Sequence, residues 1–169
     1  MIRRVLILGM MCCLFFSGCA PKNTRPLLWY QDTFTEIILC EGNARWHIAP
    51  IPGGYTAEIL SPASAAGVVF TVTDTASSVR IGAVQIPVSE AMLGECRLIL
   101  SLFSLQEEFL VGIDSPGDDP DGITCARFRT DEAEYTVGFR TDGTPAYFEI
   151  IAGSAATRYL TEEIRWEGE

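Results

Sequence analysis

The sequence predicts a mainly β fold of the α+β class, an antiparallel sheet curled around one apolar helix over about residues 89–105. Three observations carry this. Most of the chain alternates apolar and polar residues with period two, turn-forming clusters separate those runs, and only Ser89–Leu105 switches to helical spacing.

The chain opens with a different kind of segment. Arg3 and Arg4 precede an uncharged apolar run of twelve residues, Val5–Phe16, and small residues follow. A membrane-spanning helix needs roughly 20 apolar residues, so this run reads as the core of a secretory signal peptide. Phe16-Ser17-Gly18-Cys19 resembles a bacterial lipobox, in which the cysteine thiol receives diacylglycerol and becomes the new N-terminus. Phe at the first position, where Leu is usual, is a departure from that pattern. Two acyl chains hold a protein firmly at a bilayer, so a lipidated Cys19 needs no transmembrane helix. The expected organisation is a signal peptide at 1–18, a lipidated N-terminus and polar tether at 19–26, and one domain at 27–169. Cys12 and Cys13 leave with the signal.

Cleavage leaves 151 residues, enough for one core. It also removes Arg3 and Arg4, taking the basic count from 12 to 10 against 22 acidic residues, a net charge of −12. So acidic a surface argues against nucleic acid as a partner.

The strands follow in order. Val68, Phe70 and Val72 alternate with Val69, Thr71 and Thr73; Tyr135, Val137 and Phe139 alternate with Thr136, Gly138 and Arg140. Turn chemistry lies at 52–55 (PGGY), 61–67 (SPASAAG), 73–78 (TDTASS) and 141–145 (TDGTP). Asp142-Gly143 is a hairpin signal, because both residues tolerate positive φ. About nine short strands are expected between Phe34 and Trp166, as a meander.

Within the helical segment, Met92, Cys96, Ile99, Leu100 and Phe103 form one apolar row, and Leu98, Leu102 and Leu105 a second. Ser89 is the expected N-cap, with Glu90 in the first turn. Two rows require cover on more than one side, which a curling sheet supplies. Tyr55, Phe70, Leu98, Leu102 and Phe139 then either line an apolar groove or fill a closed core.

The remaining candidates for chemistry are sparse. Cys40, Cys96 and Cys125 are odd in number and none sits at Cys-x-x-Cys spacing, which leaves zinc and dithiol redox chemistry without support; a single disulfide among them stays open. His47, the sole histidine, lacks a nucleophile motif to serve. Asp114, Asp118, Asp119 and Asp121 offer oxygens for calcium, but the loop 114–122 lacks EF-hand spacing, and its prolines and glycines describe a solvated turn. Glu107, Glu108, Asp131, Glu132 and Glu134 flank expected turns, where carboxylates are solvated instead of poised as acid and base. No metal and no cofactor is expected beyond diacylglycerol on Cys19, and no catalytic residue is assigned. Trp29, Tyr30 and Trp46, near the tether, suggest a protein-binding face.

The lipobox, the strand meander, the phrase EILSPASAAGVVFTV at 58–72, the apolar helix and YTVGFRTDGTPAYFEII at 135–151 together resemble the LolA/LolB-like superfamily of lipoprotein carriers and receptors, and within it the lipoproteins of spore-forming bacteria, including germination lipoproteins of the GerS type. The likeness spans Phe34–Trp166. It implies an open half-barrel with the helix in its concave face. It also implies a non-catalytic partner-binding or scaffold module at the extracytoplasmic face of the cell membrane, serving an envelope or spore enzyme. The alternatives are a carrier or receptor for a lipid or other apolar ligand, and a hydrolase of unknown type. The superfamily's carriers use several helices where this chain has one.

Overall fold

The computed structural model describes residues 34–114 and 122–168. Among these residues eleven antiparallel strands form one sheet: β1 (Phe34–Glu41), β2 (Ala44–Ile51), β3 (Gly54–Ser61), β4 (Val68–Thr73), β5 (Ser77–Ile81), β6 (Val84–Val88), β7 (Leu110–Asp114), β8 (Thr124–Arg129), β9 (Glu134–Phe139), β10 (Pro145–Ala152) and β11 (Ala155–Trp166). The spatial order is β6-β5-β4-β3-β2-β1-β11-β10-β9-β8-β7. Two meanders thus meet where β11 returns to pair with β1, and β6 and β7 are the open edges. The segment between β6 and β7 must cross the whole sheet to join those edges. It contains the helix.

Eleven strands replace the nine expected. The hairpin of β5 and β6 turns on Gly82-Ala83, with Gly82 at φ +59°. A positive φ at the first of two central residues is the type II′ geometry that glycine serves. At the β9–β10 turn the expectation for Asp142 is corrected. Only Gly143 has positive φ, at +85°. The Asp142 carboxylate instead accepts from the Thr144 backbone N–H (2.8 Å) and hydroxyl (2.7 Å), and these bonds hold its pKa below the ordinary carboxylate value. The loop is a three-residue connection closed by a left-handed glycine.

The helix is also corrected. It is not continuous over 89–105: a 3-10 turn at Glu90–Met92 is followed by α1 (Glu95–Ser101), only seven residues long, and a second 3-10 turn at Leu102–Ser104. Gly94, at φ +53° and ψ −129°, cannot continue a right-handed helix and caps α1 without a side-chain bond. Ser89 does not cap α1; its carbonyl accepts from Met92. Met92, expected in an apolar row, is 70% exposed. The remaining members of both rows behave as the spacing predicts: Cys96, Ile99, Leu100, Leu102, Phe103 and Leu105 are buried and Leu98 is half-buried.

Cross-strand register shows how the core is laid out. Paired residues share a face, and one row runs Ile164, Ile37, Ile48, Ala57, Phe70, Val79, Ile86 from β11 out to β6. Another runs Tyr159, Phe148, Val137, Ala126, Ile113 out to β7. Burial is complete at the centre of both rows and fails at the ends, where Ile86 and Ile113 are 48% and 52% exposed. Curvature follows from Phe103, whose ring lies 5.7 Å from Tyr55 on β3 and 5.8 Å from Phe148 on β10. Those strands are four spacings apart, about 19 Å on a flat sheet, so the sheet bends to bring both to one side chain.

Candidate functional site

The concave face has a filled centre. Phe34, Tyr55, Phe103 and Phe148 cluster beneath the crossover, and two tyrosines fasten it to opposite wings of the sheet. Tyr55 donates its hydroxyl hydrogen to the Phe103 carbonyl at 2.7 Å. Ser101 Oγ donates to the Leu98 carbonyl, so in the 2.7 Å contact between Ser101 Oγ and Tyr135 Oη the tyrosine is the donor.

The five expected groove residues therefore divide. Leu102 and Phe139 are buried in the core. Tyr55 packs on Phe34 and Phe103, Phe70 lies half-buried against Trp46, and Leu98 lines a cleft on the far side of α1. They do not line one groove together.

Open apolar surface lies elsewhere. On the concave side of β5 and β6, Ile81, Val84 and Ile86 are 56%, 60% and 48% exposed, continuous by register with half-buried Val68, Phe70 and Val79. The two-residue hairpin makes Ile81 and Val84 the first hydrogen-bonded pair, so Pro87, three residues further, stands opposite Ser78 in a non-hydrogen-bonded position. Its missing N–H faces the free edge, which blunts strand addition there. The strip is an exposed face beside a protected edge. This strip was missed from sequence, although the alternation of Val79, Ile81, Val84 and Ile86 around Gly82 carries its signal.

Among the described residues three clefts flank the crossover. One of about 320 Å³ lies between Leu98 and Ile150, Ala152, Thr157 and Tyr159. A second, about 310 Å³, lies between α1 and the β3–β4 end at Gly54, Tyr55, Val72 and Asp74. The third, about 360 Å³, lies between Ser101, Ser104, Leu105 and Phe109 on one side and Thr130, Asp131, Glu132 and Tyr135 on the other.

The convex face carries polar networks beside exposed Leu160 and Ile151. Cys40 Sγ donates to Glu162 Oε2 at 2.9 Å, and Arg45 grips both oxygens of the same carboxylate. Burial, then Glu162, push the Cys40 thiol up, while those two donors hold Glu162 down. His47 Nε2 lies 2.9 Å from Glu36 Oε2, and Glu36 also pairs with Arg165. Further along, the Tyr147 ring covers Gly138, its hydroxyl meets Cys125 Sγ at 3.1 Å, and Arg158 stacks 4.4 Å above its centroid while pairing with Glu149. Cys40 and Cys125 share one cross-strand row with three strands between them, about 19 Å apart and beyond disulfide reach. Cys96 lies on the opposite face in the core, and none of the three forms a disulfide.

Burial first, then Cys125, raises the Tyr147 pKa to about 12. A raised folded-state pKa stabilises below the unfolded value of 10.0 and is lost as pH rises through the folded one. Alkaline unfolding should therefore steepen between pH 10.0 and about 12, and Tyr147→Phe should remove part of that slope. Tyrosinate absorbance that titrates identically in both proteins would contradict the assignment.

Of the carboxylates weighed for calcium, Asp114 pairs with Arg127; Asp118, Asp119 and Asp121 lie outside the described residues, as do Cys19, Trp29 and Tyr30. Among the described residues no group of three or more His, Cys, Asp or Glu could hold a metal ion, and no helix is long and apolar enough to cross a membrane.

No protein-family model matches the chain, and no curated protein matches it. Among solved structures it is similar to an uncharacterized conserved protein from Thermus thermophilus, with 13% identity over 81% of this chain and 79% of that one and a TM-score of 0.45. It is also similar to the Mycobacterium tuberculosis lipoprotein LppX, with 15% identity over 80% and 88% and a TM-score of 0.41. A third similar structure is the hypothetical protein CT021 from Chlamydia trachomatis, with 10% identity over 80% and 88% and a TM-score of 0.40.

Proposed function

We propose that this chain is a non-catalytic binding module, tethered to the extracytoplasmic face of the cell membrane by diacylglycerol on Cys19. It presents the concave apolar strip of β5 and β6 to a protein partner in the envelope. The observation that carries this reading is the strip itself: three large aliphatic side chains, about half exposed and contiguous, on a sheet whose centre is already filled. The LolA/LolB-like pattern and the likeness to GerS-type germination lipoproteins support the same role. The contact of His47 with Glu36, which itself pairs with Arg165, fits a structural part for the sole histidine.

A second reading, a carrier for a lipid or other apolar ligand, is favoured by the cleft between Leu98, Ile150 and Tyr159, whose lining suits an acyl chain.

A photo-cross-linking residue at position 84 of the membrane-anchored chain should capture one protein of defined mass in intact cells. Ile81→Asp should abolish that capture while leaving the circular dichroism spectrum unchanged. Native mass spectrometry showing an acyl adduct, with no protein captured, would decide for the carrier. Cys19→Ser should move the chain out of the membrane fraction; retention there would refute the anchor.

A further inference from the structure

The two clefts beside the end of the crossover share Ser101, Ser104 and Glu132, so they form one notch that runs over the end of α1 from the β3–β4 wing to the β8–β9 turn. Its floor is apolar. Leu93, Leu100 and Leu105 are buried beneath it, with half-buried Val72 on one wall and partly exposed Phe109 on another. Its rim is acidic. Asp74 stands at one end, Asp131 and Glu132 at the other, and Glu107 and Glu108 occupy the same exposed turn as Phe109. Two guanidiniums reach the notch, and each is held by a carboxylate: Arg97 by Glu132 and Arg129 by Glu134. The serine hydroxyls donate inward, to the Leu98 and Ser101 carbonyls. The fold has gathered acidic residues from three distant parts of the chain around one apolar trough, in a molecule whose net charge is already −10.

We propose that this notch receives a short basic, amphipathic peptide segment of a protein partner, its apolar side chains on the Leu100–Leu105 floor and its Lys or Arg side chains against Asp74, Glu108 and Asp131. The inference rests on the binding-module reading and names the partner's chemistry. Long basic side chains lay methylene stems on apolar surface while keeping the charge at the rim, which matches a trough of this kind. A bare metal ion has no use for the floor, and an acyl chain has none for the rim. Opposite charge across an exposed rim acts mainly through encounter rate and selectivity, and is weakened by salt.

The test is a titration of the full lipidated chain, in nonionic detergent, with a short amidated peptide of alternating lysine and leucine carrying a fluorophore, read by anisotropy against empty micelles. Binding should weaken about tenfold or more when Asp74→Lys, Glu108→Lys and Asp131→Lys are combined, all exposed positions, and should fall steeply with salt. Combining Glu41→Lys, Glu58→Lys and Glu163→Lys, away from the notch, should change it little. Equal loss in both triple variants, no effect of the notch variant, or no binding by the wild-type chain would each overturn the proposal. Failure here with capture at position 84 intact would leave the binding module standing without this site. Peptide binding with no capture would keep the notch and remove the β5–β6 strip as the docking face.

Discussion

Phe103→Ala should lower the free energy of unfolding by about 3–5 kcal/mol, the range for truncating a fully buried phenylalanine. Phe103 is 1% exposed, and its ring centroid lies 5.2 Å from Phe34, 5.7 Å from Tyr55 and 5.8 Å from Phe148. These partners come from β1, β3 and β10, so one side chain joins both wings of the sheet to the crossover. The hydrogen bond from Tyr55 goes to the Phe103 carbonyl and survives the substitution, so the change isolates the ring. Denaturant unfolding should show a lower midpoint with little change in slope. A loss below about 1 kcal/mol would show that the cavity collapses freely and that Phe103 does not organise the core.

Gly54→Ala should cost about 3 kcal/mol or more, at the upper end of overpacking effects. The reason is space. A Cβ at Gly54 would lie 2.0 Å from the Val72 carbonyl oxygen and 2.7 Å from Thr73 Cα, all backbone of the neighbouring strand, so β3 and β4 would have to part at the pair that begins their ladder. At Gly138, by contrast, an added Cβ would meet a side chain and not backbone, the Tyr147 ring at 2.3 Å. Gly112, whose Cβ would reach only Arg127 Nη2 at 3.8 Å, should tolerate alanine with little loss. A thermal melt of Gly54→Ala matching that of Gly112→Ala would mean that the two strands are not held at this spacing. Gly54 also borders the notch, so the variant should perturb peptide binding as well as stability.

Much of the architecture was legible because strand faces depend on local alternation. Phe70 and Val72, or Tyr135, Val137 and Phe139, point to one side in any strand they form. The same holds for the second apolar row of the crossover, where Leu102 and Leu105 signalled cover on two sides. The break at Gly94 was less legible, since an isolated glycine within a helical pattern is often tolerated. The β5–β6 turn was weakly signalled for a related reason: a type II′ turn spends only Gly82 and Ala83, leaving little composition to detect. The candidate site was the least legible part. Ile81, Val84 and Ile86 alternate like core residues, and only their distance from α1 leaves them in the open. Asp74, Glu108 and Asp131 looked like separate solvated turns because nothing local links positions so far apart in the chain.

By itself, then, the sequence determined the antiparallel class, the facing of the strands at 68–73 and 135–140, and one apolar helical segment near the middle, and it carries a lipobox-like pattern at Cys19. Tertiary structure alone decided the return of β11 to β1, the bend that lets Phe103 touch both wings, and which apolar residues are covered. The physical reason is one of dimensions. A seven-residue helix spans about 10 Å, whereas eleven strands span about 48 Å, so the crossover seals the middle of the sheet and leaves apolar surface bare toward its edges.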